Sequence, residues 1–173
     1  MTRHHLPERL RRILEFSAGH RYYPLVVALI AFVATLTFSF PFVVVLIPAV
    51  LIAPRRWLLL GVVSGVGSGV AGALLVELFS YFGREVVVAR FPELVAHESW
   101  QLAAGWLDEY GLLALALVAG SPMPQTPVIF FYALADPSPF GALAAVGVGK
   151  TVKYVVLAWL SARYPARFAA YRE

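Results

Sequence analysis

The chain has 173 residues, no cysteine and only 14% charged residues, with a mean hydropathy of +0.76. Soluble domains carry about a quarter charged residues, so this composition predicts an integral membrane protein. The absence of cysteine excludes disulfides and thiolate metal sites. The formal net charge of +4 does not indicate nucleic-acid binding, because the arginines cluster at the ends of apolar segments, where they set membrane topology.

Residues 1–21 are predicted to form an amphipathic helix on the anionic cytoplasmic leaflet. Apolar residues fall at helical spacing on one side and basic residues lie opposite them: Leu6, Leu10, Ile13 and Leu14, against Arg9, Arg11 and Arg12. No short apolar core with a cleavage site follows the basic residues, as a signal peptide would require. A frayed basic tail is the alternative.

The segment 22–54 is uncharged and awkward in length. Its 33 residues would give a helix of about 50 Å, which is too long for one ordinary membrane span and too short for two. Pro41 and Pro48 interrupt it. The segment therefore predicts a re-entrant hairpin with its tip near Phe40–Pro41, and a single long, kinked helix is the alternative.

The segment from Trp57 to Phe82 is predicted to cross the membrane once and to end at Gly83–Arg84. Small residues recur on one face at every fourth position, which lets another helix approach closely: Gly61, Gly65 and Gly69. Residues 84–110 carry five carboxylates and the amphipathic rings of Trp100, Trp106 and Tyr110. We expect this connector to lie along the membrane surface.

A second broken segment runs from Gly111 to Ala135 and contains Pro122, Pro124 and Pro127. These three prolines cannot occupy one continuous helix, because each lacks a backbone donor. Broken backbone at membrane depth is tolerated where protein buries it or where it lines a wet cavity, so a second re-entrant hairpin is predicted. The last span, 140–162, again carries small residues at four-residue spacing and precedes a basic tail, 165–173.

The two halves, residues 22–83 and 111–164, match in organisation. The separation from Pro41 to Pro54 equals that from Pro124 to Pro137. The predicted fold is therefore all-α, with two inverted repeats that each contain a re-entrant hairpin and one membrane span, a pattern typical of transporters. Placing both termini in the cytoplasm puts every basic cluster inside and the acidic connector outside, whereas a four-span topology places Arg55–Arg56 outside.

Two lysines lie near the middle of the last span, Lys150 and Lys153, one turn apart on one face. An ionisable group at that depth costs about 3 kcal/mol and usually faces a cavity or a partner. The pair would suit an anionic headgroup such as a phosphate. The alternative is simple neutralisation by Glu77 or Asp136, and Tyr154 would either donate a hydrogen bond or pack.

Other polar residues give weaker predictions. Glu77 could accept a proton, act as counter-ion to Lys153 or simply reach water, and Gln125 at the second tip could bind substrate or cap free backbone groups. The four histidines fall outside the apolar segments without metal-ligand spacing. Gly149-Lys150-Thr151 lacks the earlier glycine of a P-loop, since position 144 is Ala144. No enzyme activity, metal or cofactor is therefore predicted.

A proline-broken hairpin followed by Gly149-Lys150-Thr-Val-Lys153-Tyr154 resembles the VTT domain of the DedA/SNARE-associated superfamily. The likeness is to short prokaryotic members and covers about residues 22–164. It implies two inverted repeats with facing re-entrant hairpins. It also implies a role in flipping or scrambling lipids, including polyprenyl-phosphate carriers, with proton dependence in some members. Many relatives carry an acidic residue where this chain has Gln125, and only Phe42 and Val43 follow Pro41, which puts proton coupling in doubt.

The leading hypothesis is a cell-membrane protein that flips or scrambles an anionic lipid or lipid-linked phosphate, with no nucleic-acid partner. One alternative is an ion-coupled transporter of small solutes or drugs that uses Glu77 and Asp136. Another is a non-transporting scaffold whose stripe around Gly65 and Gly69 binds a partner. The sequence leaves a homo-oligomer open.

Overall fold

The computed structural model describes residues 8–37, 41–90, 98–123, 125–134 and 138–171, and these ranges contain helices and turns but no β-strand. The predicted all-α class is confirmed. The described residues form seven α-helices: α1 (Glu8–Ser17), α2 (Tyr23–Thr37), α3 (Val43–Ile52), α4 (Trp57–Arg90), α5 (Glu98–Gly120), α6 (Thr126–Leu134) and α7 (Pro139–Arg163). Short 3-10 helices span Pro54–Arg56 and Pro165–Tyr171.

The first apolar segment is broken at Pro41 but not at Pro48, which lies inside helix α3. Helix α2 ends at Thr37 and α3 begins at Val43, so Pro41 lies between them, and residues 38–40 are outside the described ranges. The 15 residues of α2 and the 10 residues of α3 make helices of about 22 Å and 15 Å. Both are shorter than the roughly 30 Å hydrocarbon core of a bilayer. The alternative of one long kinked helix is wrong.

The two limbs of this segment fold back on each other. The Tyr23 hydroxyl, in the first turn of α2, donates to the carbonyl of Ala49 near the end of α3 at 2.8 Å. The Arg56 guanidinium, just past α3, donates to the carbonyl of His20, just before α2, at 3.0 Å. Because both ends of the segment meet, helices α2 and α3 form a helical hairpin, called the first hairpin below.

The second proline-rich segment breaks between α5 and α6, which form the second hairpin. Pro122 lies in the gap between Gly120 and Thr126, and Pro124 is outside the described ranges. Pro127, which we expected to help break the helix, lies in the first turn of α6 instead. A first-turn proline is tolerated because its missing N–H would have had no partner within the helix.

The helices on both sides extend into the predicted connector, although the segment of α4 that is apolar enough to cross a membrane ends at Gly83. Helix α4 does not end at Gly83–Arg84 but continues to Arg90, because a single glycine costs only about 1 kcal/mol in a helix and no proline interrupts the segment. Helix α5 begins at Glu98 and passes Gly111 without a break. The connector is therefore helical at both ends, and residues 91–97 between them are outside the described ranges.

Helices α4 and α7 form an antiparallel central pair. A Cβ atom added at Gly61 would lie 2.9 Å from the Cα of Val155, and one added at Gly69 would lie 2.8 Å from the Cα of Gly147. A Cβ at Gly65, between them, would meet Thr151. The predicted small-residue stripe is confirmed as a contact surface, and its partner is another helix of the same chain.

Each hairpin packs against the central pair, with one limb on α4 and the other limb on α7. Helices α2 and α6 pack against α4, whereas α3 and α5 pack against α7. The first limb of each hairpin thus contacts the long helix that follows it, and the second limb contacts the long helix of the other half. Two apolar cores result, one around each hairpin, and each includes both central helices.

The outer faces of the central helices are apolar and exposed. On α4 the exposed side chains recur every fourth residue: Val62, Val66, Val70 and Leu74. The inner faces carry glycine, alanine and serine instead. Within the described ranges, two segments, Pro54–Gly83 and Pro139–Arg163, are long and apolar enough to cross a membrane by length and composition.

The N-terminal segment forms the predicted helix, α1, from Glu8 onward. Leu14 is fully buried in the core of the first hairpin, while Arg9 and Arg12 are exposed. The apolar side of α1 is therefore partly used for packing against the protein itself. The side chain of Leu10 and residues 1–7, including Leu6, are outside what the structure describes.

Candidate functional site

The candidate site is built on the middle of α7, where the two hairpin breaks come together. Close packing brings the elements into place: a Cβ at Gly149 would overlap the carbonyl oxygen of Ala116 and lie 3.0 Å from the nitrogen of Gly120. The end of α5 can therefore approach α7 directly beside Lys150. Lys150 itself is buried, with 9% of its surface exposed, and Lys153 is half-buried.

Lys150 is bound to the end of the first limb of the first hairpin. Its ammonium donates to the Thr35 hydroxyl at 3.1 Å, and that hydroxyl donates to the Ser68 hydroxyl of α4 at 3.0 Å. Thr35 lies two residues before the end of α2. A cation near the C-terminal end of a helix is favoured by the helix dipole.

Tyr154 completes the contacts at the first break. Its ring centroid lies 5.9 Å from the Lys150 nitrogen, within the range of a weak cation–π interaction. The same ring packs at 5.1 Å against that of Phe42, which directly follows Pro41. Of the two functions that the sequence left open for Tyr154, packing is present in these contacts.

Lys153 is bound to the other break. Its ammonium donates to the carbonyl of Ser121 at 2.6 Å, immediately after the end of α5. The Ser121 hydroxyl donates to the carbonyl of Val118 at 2.9 Å and accepts from the N–H of Met123 at 3.1 Å. Ser121 thus closes the turn, while Lys153 satisfies a carbonyl that the broken helix leaves free.

A further hydroxyl lies one turn from Ser68 on the same face of α4. Ser64 is fully buried, and among the described atoms its oxygen has no hydrogen-bond partner. A buried hydroxyl without a partner costs about 1–3 kcal/mol. This part of the central pair is therefore polar but incompletely satisfied.

The acidic residues do not form ion pairs with the lysines in the described part of the chain. Glu77 is exposed and lies near the level of Pro139, where α7 starts. Pro139 is eleven residues from Lys150, which corresponds to about 16 Å along a helix. The structure does not bring Glu77 into contact with Lys153. Asp136 is outside the described residues.

The remaining predicted site residues lie at the two breaks. Pro41 and Pro122 are exposed there, and Gln125 is partly exposed just before α6, where its carbonyl accepts from the N–H of Ile129 at 3.0 Å. Gln125 therefore shares the second break with the carbonyl that Lys153 binds. Its predicted contact with a substrate stays a prediction.

Sequence reasoning missed the neutral partners of the lysines: Thr35, Ser68 and the carbonyl of Ser121. A signal existed for the two hydroxyls, because Ser64 and Ser68 are spaced one turn apart on the glycine stripe and Thr35 lies in an otherwise apolar segment. No pattern could reveal the carbonyl, since every residue has one.

Comparison of the chain with protein-family models, curated proteins and solved structures finds no match.

Proposed function

We propose that this chain is a polytopic membrane protein that flips or scrambles an anionic lipid or lipid-linked phosphate between leaflets. The observation that carries the proposal is the position of the lysine pair. Lys150 holds the end of one broken helix and Lys153 holds the end of the other, and the acceptors they contact are a hydroxyl and a carbonyl.

Membrane insertion is supported by the distribution of residue types across the central pair. Leucine and valine face outward, while lysine, serine and glycine face inward, which is the reverse of a soluble helical bundle. Two segments have the length of a membrane span. In this proposal they cross the bilayer in opposite directions, with both termini in the cytoplasm.

Re-entrant inverted repeats are supported by the limb lengths and by the packing. The two limbs of the first hairpin are too short to cross a bilayer, and the ends of this hairpin meet. The exchanged packing of the two hairpins on α4 and α7 fits two repeats related by an axis in the membrane plane. The resemblance to the VTT domain points to the same arrangement.

The lysine contacts suit a phosphate-bearing ligand. A phosphate oxygen carries negative charge, so its hydrogen bond to an ammonium adds a Coulomb attraction that a neutral hydroxyl or carbonyl lacks. The headgroup would therefore compete well for both ammonium groups against Thr35 and the carbonyl of Ser121. The acyl chains would remain in lipid beside the exposed valines and leucines of α4 and α7.

Transport of fluorescent lipids in liposomes tests the proposal. The double variant Lys150→Gln/Lys153→Gln should lower the rate for an anionic lipid by about a hundredfold, since each charged hydrogen bond contributes about 1.5–3 kcal/mol. The control Arg163→Gln/Arg167→Gln removes the same charge from exposed positions and should transport normally. Normal transport by the lysine double variant would refute the mechanism.

The same liposomes separate this proposal from its rivals. Uptake of a water-soluble solute driven by a pH gradient, without lipid movement, would favour the ion-coupled transporter. The scaffold hypothesis needs a free glycine stripe, but Gly65 and Gly69 are covered by α7 of the same chain.

A further inference from the structure

Helix α1 leaves an apolar strip uncovered on the surface of the molecule. Leu14 anchors α1 in the core of the first hairpin, but Phe16 is 82% exposed and Ile13 is 48% exposed. Phe16 stacks on the ring of His20 at a centroid distance of 5.8 Å, which extends the strip into the corner between α1 and α2. An exposed apolar strip of this kind marks a surface that another apolar group covers.

The strip borders a groove of about 570 Å³ between α1 and the start of α2. This volume lies within the range of ligand-binding clefts. Its lining is mainly apolar and includes two basic side chains: Ile13, Phe16, Tyr22 and Val26, with Arg12 and His20. Ser17 also borders the groove, but its hydroxyl already donates to the carbonyl of Ile13 at 2.6 Å.

Arginines surround this groove. Arg12 lines it and is exposed. Arg21 donates to the Tyr22 hydroxyl at 2.8 Å and lies 4.9 Å from the centre of that ring. Arg56 donates to the carbonyl of His20 at 3.0 Å at the same corner.

We propose that this groove is a binding site for an anionic phospholipid of the membrane. One acyl chain lies along Phe16 and Ile13, and the headgroup phosphate is held by Arg12 with Arg21 and Arg56 nearby. Apolar lining combined with surrounding arginines matches an amphiphile that carries negative charge, and such lipids are drawn to basic groups at the membrane surface. The site depends on the membrane insertion proposed above but not on lipid transport.

A fluorescent label at position 19 reports on the groove. Gly19→Cys places the label in the α1–α2 corner without altering a lining residue, since nothing lies within 4 Å of a Cβ there, and the chain has no other cysteine. The labelled protein is reconstituted with spin-labelled phosphatidylglycerol or spin-labelled phosphatidylcholine at equal mole fraction. We expect the anionic lipid to quench about fivefold more effectively, as one arginine near the surface favours an anionic lipid to that extent. Label at Val66→Cys, on the exposed face of α4, should be quenched equally by both lipids.

Charge variants identify the headgroup contact. Arg12→Gln should abolish the preference at position 19, and Arg12→Lys should retain most of it. Arg9→Gln removes the same charge from an exposed position of α1 that does not line the groove, and it should leave the preference unchanged.

Three outcomes overturn the inference. Equal quenching of position 19 by both lipids means contact with bulk lipid only. Retention of the preference in Arg12→Gln means that Arg12 does not hold the headgroup. Quenching at position 19 could instead follow the density of a spin-labelled second copy of the protein and not the lipid. That result means that another protomer covers the groove. Loss of quenching at position 66 as well would refute membrane insertion itself, which distinguishes the two failures.

Discussion

Single glycines determine how closely the helices of this molecule approach each other. Gly149 is the tightest case at the candidate site, because a Cβ there would overlap the carbonyl oxygen of Ala116 on α5. Backbone cannot move aside as a flexible side chain can, so the helices would have to separate. Gly105 on the same α5 helix is the opposite case, with nothing within 4 Å of an added Cβ.

We therefore expect Gly149→Ala to destabilise the protein by about 1–3 kcal/mol, the usual cost of overpacking. Gly105→Ala should be neutral or stabilising by up to about 1 kcal/mol, because alanine is the better helix former. Thermal unfolding in detergent, followed by circular dichroism, measures both. Equal stability of the two variants would show that α5 does not pack on α7 as described.

Replacement of Lys150 by methionine separates function from stability. The ammonium is buried and its contact is a neutral hydroxyl, so removing it relieves a desolvation cost of several kcal/mol. The lost hydrogen bond contributes about 1.5–3 kcal/mol, and Thr35 still donates to Ser68. We expect Lys150→Met to unfold at the same or a higher temperature than the parent while lipid transport falls. A clear loss of stability would instead assign Lys150 a structural role.

The site could be predicted from the sequence only in part, for a physical reason. A lysine in an apolar span is conspicuous because its charge is costly there, so Lys150 and Lys153 stand out without any structure. Their partners do not stand out: Thr35 precedes Lys150 by 115 residues. Glu77, for which the sequence left a counter-ion role open, lies on the exposed side of α4 because its register on that helix turns it away from the central pair.

At the level of the elements, hydrogen bonds of the Ser121 side chain fix the second break. Its hydroxyl joins the carbonyl of Val118 to the N–H of Met123, and thereby closes the turn after α5. Ser121→Ala should cost about 1 kcal/mol, which lowers the unfolding temperature by about 2–4 °C for a chain of this size. Ser121→Thr keeps the hydroxyl and serves as the control, so an equal loss in both variants would contradict this role.

Some of the prolines located helix breaks, whereas Pro48 and Pro127 lie inside helices α3 and α6. Pro41 and Pro122 lie in real gaps, because proline removes a donor and clashes with the preceding turn. Gly83 did not end α4, since a single glycine costs only about 1 kcal/mol in a helix.

In the molecule as a whole, both hairpins pack against the same turn of α7 and close around it together with α4. The ends of α2 and α5 both reach the turn that carries Lys150 and Lys153. Thr35, Ser64 and Ser68 are sealed from the surface as described, so ligand entry requires the hairpins to part from α7. In the proposed function this separation admits a headgroup, which then replaces the neutral acceptors of the lysines.

The central claim is that each hairpin enters and leaves the bilayer on one face and that the two hairpins use opposite faces. Side-specific labelling of introduced cysteines tests this claim most directly. The chain has no cysteine, so Pro41→Cys, Arg56→Cys and Ser99→Cys each provide a single reactive site. With a membrane-impermeant reagent, position 56 should react from one side and position 99 from the other. When the reagent is added on the side that labels position 99, position 41 at the tip of the first hairpin should react far more slowly than position 99. Labelling of positions 56 and 99 from the same side, or rapid labelling of positions 41 and 99 together, would contradict the account.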